Sequence, residues 1–587
     1  MRAASAKLSD LNILVAGQGG DGSLTVITLL GRLLAHRGLH LFTSRNVASR
    51  IKGGHAAAML RAGIERRGCL GDQLDVLVAF DAQAVEIAGH QLCAQGVVIF
   101  DGSSGPVPRQ HLPEGAQVLE VPFGRFAVRD LRRDLFKNSF SFGLLTRVLG
   151  LPDKEAVACL EERFGKNRKM VDANLLALNM GFKFAEEFDC PERHGFWQLD
   201  RAKRQERILV SGNEAMAFGF LVSGGLFFAG YPITTATDIM DWLAPRLPQF
   251  GGVVLQVEDE LAAINMAIGA AMTGVRAMTA SSGPGMALMQ EGISHLGSAE
   301  IPLVIVDCQR AGPSTGMPTK PEQGDIAMLA HGGTGDYPRI VLAPGNPDDC
   351  FELAVTANNL SQRLQCLVIL ALDQSVAQDL ATTEPFDLDG IKIDKGKRLN
   401  AGEVAALEEY RRYLFTEDGV SPWAPPGTPG GMNLITGNER NEFGQVSTAP
   451  GNRKKMVDKR ARKIGKALDL LPPARRWGDA KSKVGLLGVG MAAGVMAEAA
   501  RRLAGRGCAV ACLQPRTLWP VLDETVDFVR EHDRVYVIEH NAEGQLARLL
   551  AGAGAPFEKM RHLRRYDGTP FRPSGLYRAV LDGEGAQ

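Results

Sequence analysis

Apolar residues fall in short runs separated by glycine turns and amphipathic stretches, a strand–helix rhythm that repeats along most of the chain. N-I-L-V-A at 12–16 leads into G-Q-G-G-D-G and then periodic apolar positions from Leu24 to Leu34, which predicts a buried strand, a tight turn and a helix. From 208 to about 385 the rhythm is regular. A glycine-rich helix after Gly212, strand L-F-F-A-G, helix Ala236 to Leu247, strand V-V-L-Q-V and helix Leu261 to Thr273 follow in turn. Strand R-A-M-T-A, a helix after Pro284 and strand L-V-I-V-D complete the set. Such alternation predicts a parallel sheet covered on both faces, with any ligand beyond the carboxyl ends of its strands.

The pattern lapses between 386 and 480, which is polar, rich in Pro and Gly at 422–431, and basic at R-K-K-M-V-D-K-R-A-R-K. We expect a linker there, its basic run forming a helix packed on the protein. A last α/β segment opens with V-G-L-L-G-V-G at 484–490 and continues through A-V-A-C-L-Q and V-Y-V-I-E-H-N. From Ala215 to Ile233 no residue is charged, but Gly219, Gly224, Gly225, Gly230 and Pro232 interrupt the run, so a buried helix and a short strand are expected, not a membrane span.

Composition narrows the class. The 587 residues suit roughly four domains. Lys plus Arg and Asp plus Glu number 66 each, so there is no electrostatic case for a nucleic-acid partner. The 9 cysteines are scattered without a C-x-x-C, which leaves neither a disulfide framework nor a metal or iron–sulfur ligand set visible. No secretory signal is evident at the N-terminus, and a reducing cytoplasm is the expected location.

Candidate chemistry concentrates between 231 and 325, where Y-P-I-T-T, E-D-E-L-A-A-I, T-A-S-S-G-P-G and D-C-Q-R-A-G-P-S-T-G follow one another. Taken alone, Glu260 could complement a helix N-terminus, Thr234 could cap one, and Ser281, Ser282 and Gly283 could be a simple turn. Arg310 could equally form an intersubunit ion pair. In the first segment Gly19 and Gly22 could shape a phosphate-holding turn or only a turn, and no obvious acidic residue follows to take a ribose hydroxyl.

Taken in order, the four motifs resemble the α subunit of the 2-oxoacid:ferredoxin oxidoreductases. The block G-Q-G-G-D-G-S-L-T through S-R-I-K-G-G-H (49–55), with Lys137-Asn138 and A-N-L-L-A-L-N-M-G (173–181), resembles that family's γ domain fused ahead of α. Gly20-Asp21-Gly22 with Asn46 imitates a thiamine diphosphate signature only superficially, and Asp21 stands where the family would have Gln. The resemblance implies a multidomain α/β chain with four parts. These are a Rossmann-like γ domain over 1–200, associated with coenzyme A, and a pyrimidine-type thiamine diphosphate-binding domain with a parallel sheet over 208–385. A linker over 386–480 and a transketolase C-terminal-like domain over 481–587 follow.

It further implies that Glu260 contacts the cofactor pyrimidine, promoting the tautomer that removes the thiazolium proton. Arg310 and Thr234 would hold the 2-oxoacid carboxylate. Tyr231, Pro232, Ile233, Ser281, Ser282 and Gly283 would line the thiamine diphosphate. Gly19, Gly22, Arg50, Lys52, Gly53 and Gly54 would approach coenzyme A. Thr235, where the family more often has Pro, leaves the rigidity of its loop open.

The implied activity is oxidative decarboxylation of 2-oxoglutarate with coenzyme A, giving succinyl-CoA and CO2 and passing electrons to ferredoxin, reversibly. Pyruvate, branched-chain or aryl 2-oxoacids are the alternative substrates, and a noncatalytic scaffold or nucleotide-binding subunit the alternative role. Mg²⁺ and a [4Fe–4S] cluster are expected on a separate β subunit that shares the thiamine diphosphate, in an (αβ)2 assembly.

Overall fold

A computed structural model describes residues 6–8, 10–47, 54–126, 136–165, 167–187, 197–199 and 205–584. The chain forms two compact units. The first comprises Met1–Val210 with Asp379–Pro385 and Arg572–Ser574, and the second holds the remainder.

The first unit is built on an eight-stranded sheet. In spatial order its strands are Gln117–Val121, Leu92–Asp101, Leu74–Ala79, Asp10–Gln18, His55–Gly63, His40–Val47, Leu380–Thr383 and Ile208–Ser211. The first four run parallel, whereas His55–Gly63 is antiparallel to both of its neighbours. Helix Ser23–His36 lays Val26, Ile27, Leu30, Leu33 and Leu34 on the sheet, as the spacing of its apolar positions predicts. Strand Leu380–Thr383 comes from the end of the segment that its alternation had grouped with the following domain. It is antiparallel to His40–Val47, and the Leu41 N–H donates to Thr382 Oγ1 at 2.9 Å.

The second unit contains two sheets. The larger runs Val253–Gln256, Gly225–Gly230, Arg276–Ser281, Leu303–Gln309, Leu367–Asp373 and Arg339–Leu342, all parallel, and ends with the antiparallel Thr517–Trp519. The smaller has five strands in the order Arg475–Gly478, Ala511–Gln514, Val484–Gly488, Arg534–Glu539 and Met560–Arg564. One apolar core reaches through both layers, from Ile264, Leu296 and Ile305 to Leu487, Val537 and Leu546. The expected helix from Ala236 is shorter, Thr237–Leu243, because Pro245 lacks a donor and disfavours helix in the residue before it.

The uncharged span from Ala215 resolves into helix Gly212–Val222 and strand Gly225–Gly230. Among the described residues no helix is long and apolar enough to cross a membrane. The basic run forms helix Pro450–Gly465, which buries Met456, Lys459, Arg460 and Lys463. Lys459 Nζ lies 2.7 Å and Lys463 Nζ 2.5 Å from the fully buried carboxylate of Glu300. Arg412 also lies close to this carboxylate and lends it positive charge.

Candidate active site

From strand Gly225–Gly230 the chain passes to the edge strand Val253–Gln256 on one side, then crosses to Arg276–Ser281 on the other. The winding direction reverses about the Gly225 strand, which opens a crevice beyond the carboxyl ends of the strands. Each of the four motifs ends or follows one of the parallel strands of this sheet.

Y-P-I-T-T leaves the first strand and is tied down locally. The buried Thr235 hydroxyl donates to the Cys308 carbonyl at 2.7 Å, and Asn213 Nδ2 donates to the Thr235 carbonyl at 2.8 Å. Gln378 Nε2 donates to the Thr234 carbonyl at 2.9 Å. A hydroxyl hydrogen bond to the next strand but one thus supplies the restraint that a proline would have supplied through its ring.

Glu260 is the first residue of helix Glu260–Met272. Capping falls to Asp259, whose Oδ1 accepts the Ala262 N–H at 2.6 Å. The Glu260 carboxyl is therefore not needed for the helix end, yet it is buried, with the Ser281 hydroxyl donating to Oε1 across a long 3.4 Å. A Cβ on Gly285 would stand 2.6 Å from that same oxygen and would also strike Ser281 Oγ, so only glycine lets the S-S-G-P-G turn close over the carboxyl.

Arg310, at the end of strand Leu303–Gln309, is buried, and its Nε has no hydrogen-bond partner among the described residues. Burial lowers its pKa, and the negative charges of Asp325 and Glu260 oppose that shift. Ser282 Oγ, both carboxylate oxygens of Asp307 and Asp325 Oδ2 are likewise buried without partners among the described residues. Burial, reinforced by Asp325, raises the Asp307 pKa well above the ordinary carboxylate range. Burial and the neighbouring Glu322 push Asp325 up to about 6, against the pull of Arg310. Buried polar atoms are rarely left unpaired, and such a concentration at one strand-end crevice is what a polar ligand would satisfy.

Tyr231 is exposed, Pro232, Ile233 and Thr234 are half-buried, and Ser281 and Ser282 are buried. Asp307 and Asp325 are not among the residues the sequence singles out. Asp307 lies inside an apolar strand and Asp325 follows a loop glycine, so neither stands in a pattern that marks it. His331 packs edge-on against Trp519, with ring centroids 4.6 Å apart.

In the first unit the Gly19 N–H donates to the Gly54 carbonyl at 2.7 Å, and Gly22, at φ 80°, precedes helix Ser23–His36 without a side-chain cap. The Asp21 carboxylate accepts the Gln18 N–H at 2.8 Å and pairs with Lys137 Nζ at 2.9 Å. The residue that departs from the family pattern is thus neutralised by the Lys137 that the pattern includes. Arg50, Lys52 and Gly53 lie outside the described residues. Among the described residues no group of three or more His, Cys, Asp or Glu side chains is placed to hold a metal ion.

Comparison with known proteins bears on the same stretches. A pyruvate flavodoxin/ferredoxin oxidoreductase model for thiamine diphosphate binding matches residues 221–457, and a pyruvate ferredoxin/flavodoxin oxidoreductase model matches 12–184. The α subunit of a Sulfolobus 2-oxoacid:ferredoxin oxidoreductase is 30% identical across 98% of both chains. The KorA subunit of a Mycobacterium tuberculosis 2-oxoglutarate oxidoreductase is 35% identical over 71% of this chain and 64% of its own. Among solved structures, the 2-oxoglutarate:ferredoxin oxidoreductase of Magnetococcus marinus, with 2-oxoglutarate, coenzyme A and succinyl-CoA bound, superposes with a TM-score of 0.91. Its identity to this chain is 32%, over 99% of this chain and 100% of that one. Likeness at this level runs through both units, the motif-bearing crevice included, and the chain belongs to the 2-oxoacid:ferredoxin oxidoreductase family.

Proposed function

We propose that this chain is the α subunit, with a fused γ segment, of an enzyme that converts 2-oxoglutarate and coenzyme A to succinyl-CoA and CO2. Two electrons leave one at a time to two ferredoxins, and the reaction is reversible. The observation that carries the choice of 2-oxoglutarate is the end-to-end likeness to a structure that holds that acid, coenzyme A and succinyl-CoA.

The crevice fits thiamine diphosphate on its own chemistry. Among the described residues, it offers the buried Glu260 carboxyl with one long hydrogen bond, a glycine turn closed over it, and a Ser282 hydroxyl without a partner. When bound, the cofactor supplies an acidic carbon that adds to the keto group and takes up the charge left when CO2 departs. Glu260 would hydrogen-bond the pyrimidine ring nitrogen, while Ser281 and Ser282 would orient that ring. Tyr231, Pro232, Ile233 and Gly283 complete the lining. Arg310 pairs with the substrate carboxylate through its planar fork, and Thr234 adds a hydroxyl on the same side.

In the first unit, Gly19, Gly22 and Gly54, with Arg50, Lys52 and Gly53, are proposed to approach coenzyme A. The Mg²⁺ and the [4Fe–4S] cluster are assigned to a β subunit, because no cysteine set in this sequence suits a cluster. The assembly is proposed to be (αβ)2, located in the cytoplasm.

The test is to purify the chain with its β partner and follow reduction of a low-potential acceptor by several 2-oxoacids, with and without coenzyme A. Coenzyme-A-dependent reduction fastest with 2-oxoglutarate is expected. A preference for pyruvate or a branched-chain or aryl acid would replace the substrate, and no reduction by a cofactor-replete complex would replace the enzyme with a scaffold. Arg310→Ala should raise KM for the 2-oxoacid by roughly 10- to 100-fold, the worth of a charge-assisted contact.

A further inference from the structure

Asp325 belongs to a loop of the parallel-sheet layer, yet most of the polar groups that hold this loop come from the C-terminal layer of the same unit. The Gln323 N–H donates to the His540 carbonyl at 2.8 Å, and the His540 N–H donates to Gln323 Oε1 at 3.3 Å. Asn541 Nδ2 donates to the Gln323 carbonyl at 3.1 Å. The Gln323 amide nitrogen donates to Asp373 Oδ2 at 2.9 Å and to the Val489 carbonyl at 3.0 Å. Two residues on, Gln545 brackets Asp325 from both sides: its Nε2 donates to the Gly324 carbonyl at 2.7 Å and its Oε1 accepts the Ala327 N–H at 3.0 Å.

The slot for Gln323 has no slack. Gly490, at φ +58°, faces it so closely that a Cβ would lie 2.9 Å from Gln323 Nε2 and would collide with Asp373 Oδ2. Joining the layers does not by itself require these amides, because one apolar core already runs through both. What they add is direction. The Asp325 N–H donates to Gln309 Oε1 at 3.1 Å, beside Arg310, and the Asp325 carboxylate lies 2.6 Å from where a Cβ on Gly283 would stand. The clasped loop thus sets a carboxylate against the S-S-G turn, near enough to Arg310 for its charge to act on the guanidinium.

We propose that Gln323 and Gln545 are positioning residues, a clasp by which the C-terminal layer holds Asp325 beside Arg310 and so orients the guanidinium for the 2-oxoacid carboxylate. The inference rests on the assignment of Arg310 to that carboxylate. It gives the C-terminal layer a share in substrate recognition, although none of its residues need touch substrate.

The experiment uses the complete complex with its β chain and compares Gln545→Ala, Gln323→Glu and Arg310→Ala. Gln545 is half-buried, so Gln545→Ala should leave Tm nearly unchanged while raising KM for the 2-oxoacid roughly tenfold, the scale expected when a binding group is misplaced. KM for coenzyme A should not move. Gln323→Glu places a second carboxylate beside Asp373. Its KM for the 2-oxoacid should be high at neutral pH and fall toward that of the unsubstituted enzyme as the pH is lowered, because a protonated Glu can again donate to Asp373.

Unchanged KM for the 2-oxoacid in Gln545→Ala, or a loss of activity that follows Tm alone, would overturn the proposal while a raised KM in Arg310→Ala leaves the function standing. Unchanged KM in Arg310→Ala would instead remove the carboxylate assignment, and the clasp with it. If Gln323→Glu does not assemble, Gln545→Ala decides.

Discussion

At the scale of single residues, two adjacent acids at one helix end do different work. Asp259 accepts the free N–H of the first turn, and Glu260, relieved of that task, is buried in the crevice. Glu260→Gln in the complete complex is therefore expected to lower turnover by about 10²-fold or more while assembly and Tm stay intact, measured as acceptor reduction beside a melting curve. Thr235→Val should cost about 1 kcal/mol, the net worth of one buried hydrogen bond, and should loosen the Y-P-I-T-T loop enough to raise KM for the 2-oxoacid.

The placement of Glu260 at a helix start and of Arg310 at a strand end was legible in the sequence, because each lies inside a recognisable motif. Asp307 and Asp325 were not. They are marked by being buried near each other in the fold, and a linear pattern carries no such information. Asp21 departs from the family pattern, and its pairing with Lys137, 116 positions away, is a context that the local sequence does not carry.

At the scale of elements, the rhythm of apolar runs anticipated the parallel sheet because strands buried on both faces announce themselves as continuous hydrophobic stretches. The linker was less legible. Its basic run was expected to form a helix packed on the protein, and helix Pro450–Gly465 does so, but the two lysines it drives against Glu300 have a partner that no sequence pattern marks. Three cations meet one carboxylate there, so the two directions of charge removal should differ. Glu300→Gln, which strands the cations, is expected to cost about 3–5 kcal/mol, whereas Lys459→Met should be near neutral or stabilising by denaturant melts.

Burial holds the Lys459 ammonium down to about 7 from its ordinary 10.5, although Glu300 resists the shift. Between those values the unfolded chain binds more protons than the folded one. Stability should then rise with pH across that window and fall as pH drops toward 7. Melting temperatures of the unsubstituted protein and of Lys459→Met between pH 7 and 9.5 test this, and the slope should weaken in the variant.

At the scale of the whole molecule, the chain is expected to be catalytically silent by itself and active only beside a β subunit. The helix that begins at Glu260 bears on this directly. It is apolar nearly all round, and Leu261 and Met266 on its outer side are exposed. A helix of that composition is ordinarily covered. Met266→Glu should weaken recovery of the β chain in co-purification, with the melting temperature of the α chain alone scarcely altered, as befits an exposed position.

The strand Leu380–Thr383 sets a different kind of limit. It sits between His40–Val47 and Ile208–Ser211 in the first unit's sheet, although more than 160 residues of the second unit, Ser211–Gln378, come before it in the chain. Shortening the protein to 1–210 would not release an intact module, because it would leave the edge of His40–Val47 unpaired and open to association with other chains. A soluble version of the first unit has to bring residues 379–385 with it, grafted after the Ile208 strand, so the expected break between 200 and 208 is not a boundary between things that fold apart.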